Sequence, residues 1–251
     1  MTDTQPAQTT PENKEQKSDS SQPNTPKDDF KFEILAEDYT NFDLSFKIIV
    51  IGDSGVGKSC LTNNAVKNIF DDSYNATVGF EFFTFNVKIN DKVIKLQIWD
   101  TCGQELYRSL ITNFYRNSSL AIMVYAINSK DSFKNIDMWL RELRMHSNPD
   151  AKVFLIGNKI DLETERQVTK DEGEQFCKEN KINMFMESSA KTGFNAQNIF
   201  IQAAKMLYYD YLRYEKQVAT GELPANSKAP NQNLMKEKRI DNKPRKKQGC
   251  C

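Results

Sequence analysis

The sequence has few of the residues that several common chemistries require. His146 is its single histidine, so nucleophilic catalysis by a Ser–His or Cys–His pair has little basis. The five cysteines follow neither the spacing of a disulfide framework nor that of a zinc site, which favours a reducing compartment. There is no apolar run long enough to span a bilayer and no hydrophobic signal segment. Formal net charge is zero, so overall charge does not support nucleic-acid binding.

One glycine-rich segment stands out among the residues that are present. Residues 52–59 read GDSGVGKS, after the apolar run 46–51 and before the helix-like segment 60–69. The glycines let backbone N–H groups surround an anion. Lys58 can lie between the β- and γ-phosphates, and Ser59 can bind Mg²⁺ through its hydroxyl. A strand before and a helix after favour a phosphate-binding loop over an incidental glycine turn.

Two later segments indicate which base is bound. Asp161 ends the sequence GNKID, and its carboxylate can accept from the N1–H and 2-amino groups that guanine has and adenine lacks. We expect Asn158 to reach the purine and connect neighbouring loops, and the stem of Lys159 to lie along the base. In the segment SSAK, the backbone N–H of Ala190 can donate to guanine O6. The pattern predicts a guanine nucleotide and disfavours an ATP-using enzyme, for which no second-substrate motif is present.

Hydrophobic periodicity predicts the fold class. Almost continuous apolar runs, typical of parallel strands covered on both faces, occur at 46–51, 120–127 and 153–156. Alternating apolar and polar residues predict an antiparallel pair at one sheet edge, formed by 83–89 and 94–98. Helical spacing occurs at 133–143 and 199–211. We predict a doubly wound α/β domain with a mostly parallel six-stranded sheet and helices on both faces.

The order and spacing of these segments resemble the Ras-like small GTPases and, among them, the Rab family, from residue 44 to about residue 214. The resemblance implies that Thr77 binds Mg²⁺ when a γ-phosphate is present and that Asp100 contacts the ion through water. It implies that Gln104 orients the attacking water and that the Gly103 backbone holds switch II. It also implies an edge-on contact between Phe70 and guanine, although a lone aromatic more often belongs to the core.

The residues and the resemblance together define the predicted site. Predicted nucleotide contacts are Ser54, Gly55, Val56, Gly57, Lys58, Ser59, Cys60, Phe70, Thr77, Gly103, Asn158, Lys159, Asp161, Ser189, Ala190 and Lys191. Predicted metal ligands are Ser59 and Thr77, with Asp100 acting through water, and the predicted catalytic groups are Gln104, Lys58 and Thr77.

The resemblance implies a timed switch that binds GTP or GDP with Mg²⁺. Residues 71–76 contain no arginine, so we expect intrinsic hydrolysis at about 10⁻⁴ to 10⁻³ s⁻¹, with a partner arginine adding about 10³- to 10⁵-fold. Effectors are expected at Phe82, Trp99 and Phe114, for which the alternative is a place in the core. Cys102 replaces the usual alanine of switch II and motivates a second hypothesis, a GTP-bound membrane scaffold with negligible hydrolysis.

The two ends of the chain differ in composition from its centre. Residues 1–43 are predicted to be a disordered acidic and polar extension. Residues 30–42 nevertheless contain enough apolar residues to dock on the domain or on a partner, and docking on the domain is favoured. Residues 44–215 form the predicted GTPase domain, and 216–251 a flexible basic tail. The final Cys250 and Cys251 resemble the double geranylgeranylation site of Rab proteins.

Partners and location follow from the resemblance and from this tail. We expect an exchange factor, a GTPase-activating protein, a GDP-dissociation inhibitor, a prenylation escort and effectors to bind a monomer. Two lipids and a basic stretch predict the cytoplasmic face of an endomembrane, with cycling to the cytosol. Nucleic acid is not expected as a partner.

Overall fold

Seven β-strands and five α-helices form the part of the chain that the computed structural model describes, residues 30–71, 79–103, 114–224 and 227. The strands are β1 (Phe32–Leu35), β2 (Leu44–Ile51), β3 (Phe80–Ile89), β4 (Lys92–Thr101), β5 (Leu120–Ala126), β6 (Lys152–Asn158) and β7 (Met184–Glu187). The helices are α1 (Lys58–Lys67), α2 (Lys130–Lys134), α3 (Ile136–His146), α4 (Lys170–Glu179) and α5 (Ala196–Ala219), with a 3₁₀ helix at Ile160–Glu165.

The strands form one mixed sheet in the order β1-β3-β4-β2-β5-β6-β7. The strand pairs β4–β2, β2–β5, β5–β6 and β6–β7 are parallel, whereas β3 is antiparallel to both β4 and β1. The predicted fold class is confirmed, but the sheet has seven strands where six were predicted.

The central strands are buried on both faces, as their apolar sequences predict. Ile48 and Val50 of β2 face a core cluster that includes residues of α1 and α5. Ile49 and Ile51 face a second cluster, which contains Trp139 of α3. Since β2, β5 and β6 are parallel, the loops that follow them lie at one edge of the sheet, where ligands bind in folds of this type.

Strand β1 changes the predicted sheet edge. It runs antiparallel to β3, with Phe32 opposite Ile89 and Leu35 opposite Asn86. The edge of the sheet is therefore β1, whereas the alternating sequence predicted that the β3–β4 pair forms the edge. The buried Asn86 side chain donates from Nδ2 to the Ala36 carbonyl at 2.8 Å. The folded part therefore includes residues 30–43, which the domain boundary predicted at residue 43 left outside. The sequence did not predict β1, because its four partly exposed residues are too few to show hydrophobic periodicity.

The predicted helical segment 133–143 is interrupted in the structure. Ser129 caps α2 by accepting from the Ser132 N–H, and α2 ends at Lys134. Asn135 lies between α2 and α3 and is the C-cap residue of α2 and the N-cap residue of α3. The break is local, because the helical spacing continues on the far side of Asn135.

The ends of the described chain differ from the predicted boundaries. Helix α5 ends at Ala219, beyond the domain end predicted at residue 215. Within the described residues, the helices are too short or too polar to cross a membrane. Residues 1–29 and the predicted lipid sites Cys250 and Cys251 lie outside the described residues.

Candidate nucleotide site

The loop between β2 and α1 has the backbone of a phosphate cradle. Gly55 and Gly57 have φ angles of 76° and 92°, in the left-handed region that glycine occupies without strain. Space also requires glycine, because a Cβ on Gly57 would lie 2.5 Å from Asn158 Nδ2, and one on Gly52 would lie 2.1 Å from the Val124 carbonyl oxygen. Helix α1 begins at the residue after Gly57, and its first-turn N–H groups suit an anion.

The Lys58 side chain turns back into this loop. Its Nζ donates to the carbonyls of Gly52 at 2.9 Å and Asp53 at 2.7 Å. Burial lowers the pKa of Lys58, while the charges of Asp100 and Asp53 raise it. The ammonium group is thus held inside the loop, where a phosphate ligand would add a further favourable charge.

Ser59 and Asp100 meet beneath the loop and fit the predicted metal site. The Ser59 hydroxyl donates to Asp100 Oδ2, whereas the buried Oδ1 has no hydrogen-bond partner among the described residues. Burial raises the pKa of the Asp100 carboxyl, the Ser59 hydrogen bond and the Lys58 charge oppose this shift, and the net pKa is about 7. An unpaired carboxylate oxygen beside a hydroxyl is a donor set that Mg²⁺ prefers. The remaining predicted ligand, Thr77, lies outside the described residues.

Asn158, at the end of β6, joins the predicted base site to the phosphate loop. Its side chain is fully buried, and Nδ2 donates to the Val56 carbonyl at 2.9 Å. Its Oδ1 accepts from Ser188 Oγ and from the Ala190 N–H, both at 3.1 Å. These hydrogen bonds connect the phosphate loop with residues 188–190, whereas the contact of Asn158 with the purine stays a prediction. The Ala190 N–H, which was predicted to face guanine O6, donates to Asn158 in this structure.

Asp161 lies at the start of the 3₁₀ helix and is exposed. It accepts a hydrogen bond from Ser189 Oγ at 2.6 Å, and the same hydroxyl accepts from the Thr192 N–H at 3.0 Å. Ser189 therefore orients the carboxylate that is predicted to read guanine. The Asn64 side chain supports this loop from α1 by donating to the Ala190 carbonyl at 3.0 Å. Asn64 carried no recognisable signal in the sequence.

The remaining predicted nucleotide contacts lie on the phosphate loop, on α1 and around the predicted base site. Ser54 is exposed on the phosphate loop, and Cys60 is half-buried on α1, where burial raises its pKa. Phe70 is half-buried and packs against the core. Lys159 has a φ of 70°, which redirects the chain between β6 and the 3₁₀ helix, and Lys191 is exposed.

The start of switch II packs directly on the phosphate loop. A Cβ on Gly103 would lie 2.3 Å from both the Asp53 carbonyl carbon and the Ser54 nitrogen, so only glycine allows this contact. Cys102 is buried, and its N–H donates to the Gly79 carbonyl at 3.0 Å. The predicted water-orienting residue, Gln104, lies outside the described residues.

The three predicted effector residues form one aromatic patch. The ring centroids of Phe82 and Phe114 each lie 5.2 Å from the centroid of Trp99. Phe80, which the sequence analysis did not select, completes the patch at 4.7 Å from Phe114. Phe80 and Phe82 are 49% and 48% exposed, so the core alternative does not hold for Phe82. Lys47 lies over the rings, with Nζ 5.4 Å from the Trp99 centroid.

The fold and the site together define a P-loop nucleotide-binding protein with the small GTPase architecture. The sequence model of the Ras family matches residues 47–209, which is more than half of the chain, and the chain therefore belongs to the Ras family. Membership identifies a small GTPase switch, in a family whose members bind GTP and GDP with Mg²⁺ and interact with regulators and effectors. Strand β1 lies outside the matched residues.

Proposed function

We propose that this chain is a Rab-like, membrane-anchored GTPase that recruits effectors during vesicle traffic. The observation that carries the nucleotide part is the hydrogen bond from Asn158 to the Val56 carbonyl. It holds the segment with the guanine-selective Asp161 beside the phosphate loop, so that one guanine nucleotide can contact both.

Hydrolysis in such a site depends on position and charge, because phosphoryl transfer to water requires little covalent chemistry from the protein. Lys58 is the cation of the phosphate loop, and Ser59 and Asp100 would hold Mg²⁺ together with Thr77. When bound, Mg²⁺ neutralises charge on the phosphate oxygens. Gln104 is proposed to orient the attacking water. With no arginine in residues 71–76, we expect slow hydrolysis until a partner supplies one.

The aromatic patch supports the effector and Rab parts of the proposal. Its members Phe80, Phe82, Trp99 and Phe114 come from β3, from β4 and from the segment before β5. Residues 72–78 and 104–113, the segments that the resemblance assigns to the switches, are continuous with β3 and with Phe114. A change of nucleotide would therefore reach the surface on which partners are proposed to bind.

The C-terminal thiols support the membrane part of the proposal. Cys250 and Cys251 follow a lysine-rich stretch, and two lipid chains anchor a protein stably where one is marginal. We expect replacement of both cysteines by serine to move the protein from the cytoplasmic face of endomembranes to the cytosol in fractionated cells. An unmodified C-terminus on membrane-bound protein, detected by mass spectrometry, would rule out the lipid anchor.

Nucleotide competition tests the central proposal. GTP and GDP should displace a fluorescent GDP with at least about 10³-fold preference over ATP, because a mismatched base leaves buried polar groups unpaired. Asp161→Asn should shift the preference toward xanthine nucleotides, whose 2-oxo group accepts where guanine donates. Equal displacement by ATP and GTP would contradict the guanine assignment.

The scaffold hypothesis remains a second candidate because Cys102 is buried at the start of switch II. A scaffold would bind GTP and hydrolyse it negligibly, with or without a GTPase-activating protein. Single-turnover hydrolysis under both conditions separates the two functions, since a switch turns over slowly alone and faster with its activator.

A further inference from the structure

The Asp53 carboxylate belongs to the phosphate loop but is not among the predicted nucleotide contacts. It accepts two hydrogen bonds from the helical side of the domain. Asn135 Nδ2 donates to Oδ2 at 2.7 Å, and Trp139 Nε1 donates to Oδ1 at 2.8 Å. Each carboxylate oxygen therefore has its own neutral donor.

Both donors belong to a rigid part of the fold. The Trp139 ring is 1% exposed and packs in the second core cluster. Asn135 lies between α2 and α3, where its N–H donates to the Asp131 carbonyl at 3.0 Å and its own carbonyl accepts from the Trp139 N–H at 3.2 Å. Side chains fixed in this way set the position of the carboxylate, because the donors have little freedom to follow it.

The backbone of the same residue faces the nucleotide site. The Asp53 carbonyl accepts from Lys58 Nζ at 2.7 Å, and Gly103 packs on the peptide between Asp53 and Ser54. One residue thus connects α3, through its side chain, with the phosphate-binding lysine and the first glycine of switch II, through its backbone. A shift of the Asp53 side chain would move both of these groups.

We propose that Asp53 is a positioning residue, which Asn135 and Trp139 hold so that Lys58 and Gly103 favour a nucleotide with a γ-phosphate. The proposal rests on the guanine-nucleotide function above and deepens it. Releasing the carboxylate would loosen the loop and let a negative charge approach the phosphates. The loss of binding affinity is greater for GTP than for GDP, because GTP carries more charge and is the ligand expected to engage Gly103.

The test removes one donor and compares it with a matched control. Trp139→Phe keeps an aromatic ring in the core and deletes the Nε1 donor. Tyr125→Phe deletes a buried hydroxyl from the same core cluster, and that hydroxyl has no hydrogen-bond partner among the described residues. We expect Trp139→Phe to release GTP about 10-fold faster, with a smaller effect on GDP, since hydrogen bonds to charged groups are stronger than those between neutral groups. Tyr125→Phe should release both nucleotides at the parental rates.

A rescue variant separates positioning from general destabilisation. Asp53→Asn leaves one amide oxygen for two donors and should lower the ratio of GTP to GDP affinity. In Asp53→Asn/Asn135→Asp the amide and the carboxylate exchange places, so that each donor again has an acceptor, and the ratio should recover. Thermal unfolding of the GDP-bound proteins is recorded in parallel.

Each outcome has a distinct meaning. If the parental protein retains neither GTP nor GDP, the proposed function fails and this inference fails with it. If the parental protein binds both but Trp139→Phe behaves like Tyr125→Phe, only the inference is overturned. It is also overturned if affinity for both nucleotides falls equally in step with the unfolding temperature, or if the exchange of Asp53 and Asn135 restores nothing.

Discussion

Replacing Asn158 should test how the base site and the phosphate loop are joined. Its side chain makes three neutral hydrogen bonds, to the Val56 carbonyl, Ser188 Oγ and the Ala190 N–H, at 2.9 to 3.1 Å. Each contributes about 0.5–1.5 kcal/mol net, so Asn158→Ala should cost about 1.5–4.5 kcal/mol. All three partners belong to loops that are predicted to hold the nucleotide. We therefore expect most of this cost as a loss of GDP affinity of about 10- to 10³-fold.

Graded variants make the magnitude testable in one assay, the dissociation rate of fluorescent GDP at fixed Mg²⁺. Ser188→Ala removes one of the three bonds and should accelerate release only about 2- to 10-fold. Asn158→Asp keeps an acceptor for Ser188 and Ala190 but sets a carboxylate oxygen against the Val56 carbonyl, so it should be at least as damaging as Asn158→Ala. Parental dissociation from Asn158→Ala, or no difference between it and Ser188→Ala, would refute the bridging role.

Three further predictions concern the metal site, switch II and strand β1. Ser59→Asn should weaken GTP more than GDP, because the Ser59 hydroxyl is a predicted Mg²⁺ ligand, and equal weakening in a competition assay would contradict this role. Cys102→Ala should leave GDP affinity nearly unchanged and raise single-turnover hydrolysis about fivefold, if the buried thiol costs about 1 kcal/mol by displacing switch II; equal rates would show that Cys102 is not a brake. Asn86→Ala should lower the free energy of unfolding by about 1–3 kcal/mol and speed hydrogen exchange in residues 32–39, since it leaves the Ala36 carbonyl without its buried donor. Unchanged exchange there would mean that Asn86 does not hold β1.

The sequence by itself determined the fold class and the local shape of the phosphate loop. The apolar runs of β2, β5 and β6 specify strands covered on both faces, and the spacing of glycines in residues 52–59 specifies a loop with left-handed positions. Both signals are local, so they can be read along the chain without knowing its path. The assignment of individual residues to GTP, GDP and Mg²⁺ stays a prediction.

Tertiary structure decided which distant residues support that loop. Asp53 and Trp139 are 86 positions apart, and Val56 and Asn158 are 102 positions apart, so each hydrogen bond exists only because parallel strands bring the segments that follow them to one edge. The tertiary structure also decided that Phe80 is exposed beside Phe82. The attachment of β1 is likewise tertiary, since four residues without clear alternation form a strand only where β3 offers unpaired backbone groups.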